Sequence, residues 1–277
     1  MNSIHQVDGA VFITGAARGV GRATAVAFAR TGASLLLTDL CAEIEECPYP
    51  LGTLEQLEET ARRCRSWGSR VATIAADVRD QAAIDAAVAH CHDELGPVAV
   101  LVSNAGLVGP AGAPAHQLDE RAWTVLLDVD LSGVWRCAKA VLPDMVSARR
   151  GVIVNVASTA GLVAFPFFAN YVAAKHGVIG LTRALALDYA AHGIRVNAVC
   201  PTSVRDEPEL DSAMLAGVAG MVGLDLADYE ALSLPHHPQG ALVGADDVAA
   251  AVVWLASDGA ARITGAALPV DAGFTVR

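Results

Sequence analysis

Three side chains in the middle of the chain could together move a proton. Tyr171 and Lys175 are four residues apart, so on a helix they share one face, where an ammonium would favour the ionised form of the phenol. Ser158 follows the apolar run 151–157, which is typical of a buried strand. Its hydroxyl would emerge at the carboxyl end of that strand, where ligands bind in open α/β sheets. By itself the Tyr-x-x-x-Lys spacing also fits a chance helical pair.

A glycine-rich segment near the N-terminus is typical of a phosphate-binding turn. The apolar run 11–13 leads into TGAARGVG at residues 14–21, and a helical composition follows. This order of strand, loop and helix places backbone amides and the positive end of a helix against a pyrophosphate. Gly15 would permit the tight turn, Gly19 would let the backbone approach the phosphates, and Gly21 would let helix and strand pack closely. An ordinary turn is the alternative interpretation.

Two acidic residues after the next strands suggest how an adenosine would be held. Asp39 ends the apolar run 34–38, about twenty residues after the glycines, where a carboxylate accepts from both ribose hydroxyls and repels a 2′-phosphate. Arg18 favours NADP, but it competes with that fixed anion, so the sequence predicts NAD. Asp77 could accept from an adenine amino group. The alternative is a helix N-cap, a role that suits Asp80 as well and Asp77 somewhat less.

Apolar runs alternate with helical segments along the whole chain. The strand 98–102 is followed by small residues that let a ligand lie against the backbone: Asn104, Ala105 and Gly106. A later strand, 194–200, ends at Pro201, and we find no internal repeat or linker. The sequence therefore predicts one α/β domain over residues 1–277, a Rossmann-type doubly wound, mainly parallel sheet with helices on both faces.

Two stretches interrupt this alternation. Residues 41–52 hold two prolines around a tyrosine, which cannot continue a helix, and we expect an inserted loop (the insert) beside the adenosine half of the cofactor. Residues 202–240 (the lid) are dotted with proline and glycine, and Met214 suits an adaptable apolar cover over a substrate. The apolar residues of the lid offer little to hold a strongly charged substrate: Leu215, Val218, Met221, Val222 and Leu224.

The composition argues against several partners. A formal net charge of -11 disfavours nucleic acid and anionic membranes. Six cysteines at irregular spacings, without a Cys-x-x-Cys pair, predict reduced thiols in a cytoplasmic protein. No apolar run reaches membrane-spanning length, and the N-terminal residues lack the apolar core of a secretion signal. His236 and His237 have no spaced third ligand, so we expect a solvated loop there and no metal site.

Taken together, these motifs resemble the short-chain dehydrogenase/reductase family over nearly the whole chain. The segments that carry the resemblance fall in family order and spacing: residues 14–21, residues 104–106, Ser158 thirteen positions before Tyr171, the Tyr-x-x-x-Lys pair, and residues 263–265 and 270–273. The resemblance implies that Tyr171 exchanges a proton with the substrate oxygen while hydride moves to or from nicotinamide. It implies further that Lys175 lowers the pKa of the phenol and holds the nicotinamide ribose, and that Ser158 hydrogen-bonds the substrate oxygen.

The motifs and the resemblance together predict a set of cofactor-binding residues: Gly15, Arg18, Gly19, Val20, Gly21, Asp39, Leu40, Asp77, Val78, Asn104, Ala105, Gly106, Tyr171, Lys175, Pro201 and Val204. The resemblance also implies a homotetramer. We expect the last strand and helix to pair with copies of themselves, because the helix is rich in small and apolar residues: Ala250, Ala251, Val252, Val253 and Leu255.

A narrower resemblance is to the mycofactocin-coupled branch of the family, which includes carveol dehydrogenase-like enzymes. Its signs are the insert, the Pro-Thr pair at residues 201–202 where most of the family has Pro-Gly, and the ending LPVDAG at residues 268–273. This resemblance implies that NAD does not exchange and passes its electrons to mycofactocin. It also implies that the insert is a clamp over adenosine.

Two positions depart from the family pattern. Asp130 stands where the family has the asparagine of its catalytic tetrad, and Arg205-Asp206 stands where a threonine commonly contacts the nicotinamide amide. The family asparagine acts through its main-chain carbonyl, which the substitution keeps, so we predict Asp130 as a fourth catalytic residue beside Ser158, Tyr171 and Lys175.

The sequence thus predicts an NAD-dependent oxidoreductase that interconverts an apolar secondary alcohol, terpenoid or alicyclic, and its ketone. Two alternatives stay open. One is an ordinary ketoreductase whose cofactor exchanges freely, and the other is an NAD-binding sensor or structural oligomer that has lost turnover.

Overall fold

A parallel sheet forms the centre of the computed structural model, which describes residues 9–276. The N-terminal residues predicted to lack a secretion signal lie almost wholly outside this range. The strands are β1 (Ala10–Thr14), β2 (Ser34–Asp39), β3 (Val71–Ala75), β4 (Val98–Ser103), β5 (Gly151–Val156), β6 (Ile194–Pro201) and β7 (Ala267–Val270). Within the described residues they form one sheet in the order β3-β2-β1-β4-β5-β6-β7, and every pair of neighbours is parallel. The predicted Rossmann-type fold is confirmed.

Helices follow the strands and cover both faces of the sheet. They are α1 (Gly19–Ala29), α2 (Leu54–Arg65), α3 (Gln81–Glu94), α4 (Glu120–Leu127), α5 (Gly133–Ala148), α6 (Ala169–Tyr189), α7 (Met214–Met221), α8 (Leu226–Ser233) and α9 (Ala245–Ala256). The central strands read as continuous apolar runs because both of their faces are buried, and β1 is buried at every residue. The two largest apolar clusters lie on opposite faces of the sheet.

The apolar spacing of residues 119–147 predicts one long helical region, but the structure breaks this region in the middle. A π-helical turn, Asp128–Ser132, joins α4 to α5. The wider turn inserts one residue into the helical repeat, and such turns are frequent at functional sites. It directs the Asp130 side chain into the interior, where that residue is fully buried.

The insert and the lid have different internal structures. Residues 41–52 contain no helix or strand, whereas the lid holds α7 and α8. The insert is nevertheless packed, since Ile44 and Tyr49 are buried. Only Leu215 and Val218 of the five lid residues predicted to cover the substrate line the central cavity, where they are joined by Met214. Val222 points to solvent.

Only some of the apolar residues of α9 lie on its outer surface. Val252 and Leu255 are completely buried within the protein, so they are not available for contact with another copy. The outward side of this helix carries Ala250 and Trp254, the latter 44% exposed.

The helical pattern of residues 119–147 places Trp123 and Trp135 in the core. In the structure both of these side chains are exposed.

Candidate active site

One large cavity lies at the carboxyl ends of the parallel strands. Its volume is about 660 Å³, and it runs from the glycine loop to Phe274 near the end of the chain. All sixteen predicted cofactor-binding residues and Ser158 line it. The position follows from the topology, because strand order reverses between β1 and β4 and a crevice forms where the flanking loops diverge.

The glycine loop turns back tightly on the first strand. Gly15 has a φ of +65°, a conformation that glycine adopts at little cost. A Cβ atom on Gly21 would collide with the carbonyl of Gly15, so α1 can lie against the loop only with glycine at this position. The Asn104 amide donates to the Thr14 and Gly15 carbonyls at 3.0 and 2.9 Å and ties the loop to the end of β4. Gly19 and Val20, at the start of α1, line the cavity beside this loop.

Asp39 is held beside this loop at the end of β2. One carboxylate oxygen accepts from the Ala17 amide at 2.9 Å. Burial raises the pKa of the carboxyl, while the amides of Ala17 and Cys41 and the charge of Arg18 oppose the rise. The insert returns against the carboxylate, since a Cβ on Gly52 would lie 2.9 Å from an Asp39 oxygen.

Arg18 points into the insert. Its guanidinium donates to the Pro50 carbonyl at 2.5 Å. The cation that favoured NADP in the sequence is therefore held by a backbone oxygen.

Asp77, which follows β3, is paired with a neighbouring arginine. Its carboxylate accepts hydrogen bonds from the Arg79 guanidinium, at 2.7 to 3.0 Å, and from the Arg79 amide at 2.8 Å. Asp80, in contrast, caps α3 by accepting from the Ala82 amide at 2.9 Å. The N-cap alternative thus holds for Asp80, and Asp77 lines the cavity as half of an ion pair.

Tyr171 and Lys175 stand one turn apart at the start of α6, as predicted. The Lys175 Nζ lies 5.5 Å from the centre of the Tyr171 ring. Ser158 reaches the same end of the cavity from just after β5, and its hydroxyl acts to lower the pKa of the Tyr171 phenol. A hydroxyl, a phenol and an ammonium from two separate elements therefore meet at one end of the cavity.

The electrostatics around Tyr171 include a third charged group. Burial raises the pKa of the phenol; Lys175 opposes that rise, in the predicted direction, and Asp130 adds to it. Burial would lower the pKa of Lys175, but Asp130 and Tyr171 together hold it above its ordinary value, so the lysine stays cationic. Lys175 also donates to the Val156 carbonyl at 3.3 Å.

The far end of the cavity is walled by aromatic residues that were not among the predicted site residues. Phe274 stacks on Phe165 with ring centres 5.7 Å apart, and His237 packs on Phe274 at 5.5 Å. The Phe165-Pro166-Phe167-Phe168 run just before Tyr171 was the signal available for this wall. Phe274 comes from the opposite end of the chain, and no local pattern indicated it.

His237 corrects the prediction of a solvated histidine pair. It is 3% exposed, and its ring nitrogens lie 2.9 Å from the Ser233 carbonyl and 3.2 Å from the Thr202 hydroxyl. His236 is exposed. Within residues 9–276 no group of three or more metal-binding side chains occurs, and the six cysteines are free thiols.

A buried arginine joins the lid to the glycine loop. Arg22, on α1, is wholly buried and donates to the Ala17 carbonyl at 2.7 and 3.1 Å. Its carboxylate partner is Asp211 of the lid, at 2.6 Å. No sequence pattern indicated this pair, because its members are 189 positions apart.

The insert makes the second connection to the lid. The Tyr49 hydroxyl accepts from the Val108 amide at 2.9 Å. The Tyr49 ring lies against Gly217 of α7, where a Cβ atom would come within 2.6 Å of it. The insert therefore packs between the loop after β4 and the lid.

Every helix within residues 9–276 is too short or too polar to span a bilayer.

Comparison with known proteins finds relatives along nearly the whole chain. Residues 15–275 match the family model described as enoyl-(acyl carrier protein) reductase. A (-)-trans-carveol dehydrogenase of Rhodococcus erythropolis is 38% identical, over 98% of this chain and 99% of the relative. A cis-4-hydroxycyclohexanecarboxylate dehydrogenase of Sinomonas cyclohexanicum is 38% identical over 95% of each chain.

The crystal structure of a carveol dehydrogenase from Mycobacterium avium in complex with NAD has a TM-score of 0.91. It is 38% identical to this chain, covering 98% of it and 99% of that protein. The predicted likeness to carveol dehydrogenase-like enzymes is thereby confirmed. With a family match along almost its whole length and the tyrosine, lysine and serine gathered at the cavity, the chain belongs to the short-chain dehydrogenase/reductase family of oxidoreductases.

Proposed function

We propose that the protein is an NAD-dependent oxidoreductase that interconverts an apolar secondary alcohol and its ketone, with Tyr171 as the acid/base. The observation that carries the proposal is the convergence of Ser158, Tyr171 and Lys175 at one end of a cavity whose other end begins at a glycine loop. When bound, NAD supplies the hydride acceptor. The protein's part is to hold the substrate oxygen at the Ser158 hydroxyl and to accept its proton on the Tyr171 oxygen.

The walls of the cavity support an uncharged substrate. Phe165, Phe168 and Leu215 line it, together with Phe274. Charged groups near this end have partners within the protein: Asp206 accepts from the Leu215 and Ala216 amides at 3.2 and 2.8 Å, and Arg205 pairs with Glu207 at 3.3 Å. A substrate carboxylate would have to compete with these contacts, and desolvating it would cost free energy.

Ring alcohols are the first candidates. The relatives named above are a carveol dehydrogenase and a 4-hydroxycyclohexanecarboxylate dehydrogenase. We expect the protein to oxidise neutral alicyclic or terpenoid alcohols with a higher kcat/KM than cyclohexanols that carry a carboxylate. Steady-state assays on matched pairs of neutral and carboxylated alcohols test this. A preference for the carboxylated member would contradict the apolar assignment.

Three contacts support NAD over NADP. The Asp39 carboxylate occupies the end of β2, Gly52 closes against it, and Arg18 is held by the Pro50 carbonyl. A 2′-phosphate would therefore meet a negative charge with little room and without a free guanidinium beside it. The carveol dehydrogenase of M. avium, for its part, was crystallised in complex with NAD.

Asp39→Ala is expected to narrow the affinity gap between the two nucleotides by at least about tenfold, because a charged hydrogen-bond acceptor contributes about 1.5–3 kcal/mol. Asp39→Asn, which keeps the shape and removes the charge, is the matched control for repulsion alone. Calorimetric titration of NAD and NADP into nucleotide-stripped protein measures the gap. Tighter binding of NADP than of NAD by the parent would overturn the assignment.

We further propose that the insert and the lid together clamp the nucleotide, so that it exchanges slowly, and that mycofactocin accepts the electrons of the NADH formed by alcohol oxidation. Opening the lid would separate Asp211 from Arg22 and leave a buried guanidinium without its carboxylate, which is costly. Opening would also remove α7 from the Tyr49 ring. An ordinary ketoreductase with exchangeable NAD is the alternative, and nucleotide release rates distinguish the two.

A non-catalytic NAD-binding protein is the second alternative. Asp130 is the departure that would favour it, but Ser158, Tyr171 and Lys175 are all present and adjacent. An inactive parent that gained turnover on Asp130→Asn would move this alternative to first place.

The homotetramer, the single domain over residues 1–277 and the cytoplasmic location stay predictions. The exposed Trp123, Trp135 and Trp254 give an oligomer apolar surface to bury. A monomer in light scattering at micromolar concentration would contradict the tetramer.

A further inference from the structure

The strongest unexplained feature beside the reacting groups is a buried ion pair. The Asp130 carboxylate lies 2.9 Å from the Lys175 ammonium, and the two side chains are 0% and 6% exposed. The other Asp130 oxygen accepts from the Leu107 amide at 2.7 Å. The carboxylate is thus fixed from two directions, and water is excluded from the pair.

The surrounding backbone is shaped around this pair. Asp130 enters the interior from the π-helical turn Asp128–Ser132. Gly106 lies over the contact, where a Cβ atom would be 3.1 Å from the Asp130 oxygen and 3.3 Å from the Lys175 Nζ. Gly106 lines the cavity whereas Asp130 does not, so the carboxylate reaches the cavity through Lys175.

We propose that Asp130 is a positioning residue that shares the charge of Lys175 and thereby sets the pH range in which Tyr171 acts as a base. The inference rests on the proposed function of Tyr171. A phenolate next to an isolated ammonium is strongly stabilised in a water-poor site. Here the phenolate faces an ammonium already paired with a carboxylate, so that stabilisation is smaller and ionisation requires a higher pH.

The other ionisable groups near Tyr171 do not supply this effect. Cys200 on β6 interacts with both Tyr171 and Lys175, but burial raises the pKa of its thiol to about 11, so it is neutral in the working range. Tyr49 interacts with Asp130, and burial raises the pKa of its phenol as well. The Ser158 hydroxyl acts to lower the pKa of Tyr171 but carries no charge. Burial raises the pKa of the Asp130 carboxyl, and the Lys175 ammonium at 2.9 Å and the Leu107 amide at 2.7 Å oppose that rise. Held in this pair, Asp130 is the anion that offsets Lys175.

Asp130→Asn separates the charge from the shape, because an asparagine oxygen can still accept from the Leu107 amide. Without the Asp130 carboxylate, the whole charge of Lys175 is available to stabilise the Tyr171 phenolate. The pKa of Tyr171 therefore falls in Asp130→Asn. The acidic limb of kcat/KM for alcohol oxidation should move to lower pH by about one unit or more. The rate at the new optimum should stay within about tenfold of the parent.

Asp128→Asn is the matched control. It removes the same charge from the same π-helical turn, but Asp128 pairs with Arg136 at 2.8 Å and does not line the cavity. Its pH profile should coincide with that of the parent. Asp130→Glu, which restores a carboxylate, should move the limb back toward the parent value.

A second measurement does not depend on turnover. Spectrophotometric titration of the phenolate, with the Tyr171→Phe titration subtracted, reports Tyr171 directly, and its ionisation should also shift downward in Asp130→Asn. The proposal would be overturned if the acidic limb of kcat/KM and the ionisation of the Tyr171 phenolate in Asp130→Asn stay at the parent pH or move to higher pH. Should Asp130→Asn not fold, Asp130→Ser removes the same charge and is judged by the same two shifts.

Different results would refute the proposed roles of Tyr171 and Asp130. A Tyr171→Phe variant that keeps its activity would refute the proposed role of the tyrosine. An inactive Tyr171→Phe together with an unmoved limb in Asp130→Asn would refute only the role of Asp130.

Discussion

Tyr171→Phe should lower kcat for alcohol oxidation by at least about a hundredfold, the range in which a positioned acid/base contributes. The change removes one hydroxyl and almost no volume, so the ring keeps its contact with Lys175. Nucleotide affinity should therefore be nearly unchanged. Steady-state kinetics with one accepted alcohol and titration of NAD into the same preparation measure the two effects separately.

Tyr189→Phe provides the control for this prediction. It makes the same change at the other end of the same helix, outside the cavity, and should leave kcat unaltered. Turnover of Tyr171→Phe within about tenfold of the parent would remove the tyrosine from its role as acid/base.

Tyr49→Ala should release bound NAD at least about tenfold faster than the parent does. A tenfold change corresponds to about 1.4 kcal/mol of free energy. The variant loses the ring that packs on Gly217 and the oxygen that accepts from Val108. Truncating a buried aromatic residue should also lower the free energy of unfolding by about 3 kcal/mol. Release is followed by diluting NAD-loaded protein into excess competing nucleotide, well below the unfolding temperature.

Two controls separate clamping from loss of stability. Met145→Ala removes a buried side chain from the core of α5, away from the cavity, and should destabilise the protein by about 2–5 kcal/mol without faster release. Glu45→Ala changes an insert residue whose side chain is 82% exposed. This variant should neither destabilise the protein nor release NAD faster. If folded Tyr49→Ala releases NAD at the parent rate, the insert is a surface or subunit contact instead of a clamp.

Much of the fold was predictable because its signals are local. Apolar runs and glycines indicated the strands, and each predicted strand appears within a residue or two of its expected limits. The Tyr171 and Lys175 spacing predicted a shared helical face because a helix repeats every 3.6 residues. Strand ends and parallel topology together placed the glycine loop, Asp39 and Ser158 at one edge of the sheet.

Exposure on the outside of the helices was less predictable. Trp123 and Trp135 fit an apolar helical pattern, yet each is more than a third exposed. His237 fits a polar loop, yet it is buried against Phe274. Periodicity tells which residues share a face, but whether another element covers that face depends on the path of distant segments.

The sequence by itself determined the family and the sheet, and it predicted Ser158, Tyr171 and Lys175 as the reacting groups, because each of these follows from short-range spacing. The tertiary structure decided which charges meet. Asp130 reaches Lys175 through a π-helical turn, and Arg22 meets Asp211 across 189 positions. Coulomb energy depends on distance and on the exclusion of water, and neither is defined until the chain has folded.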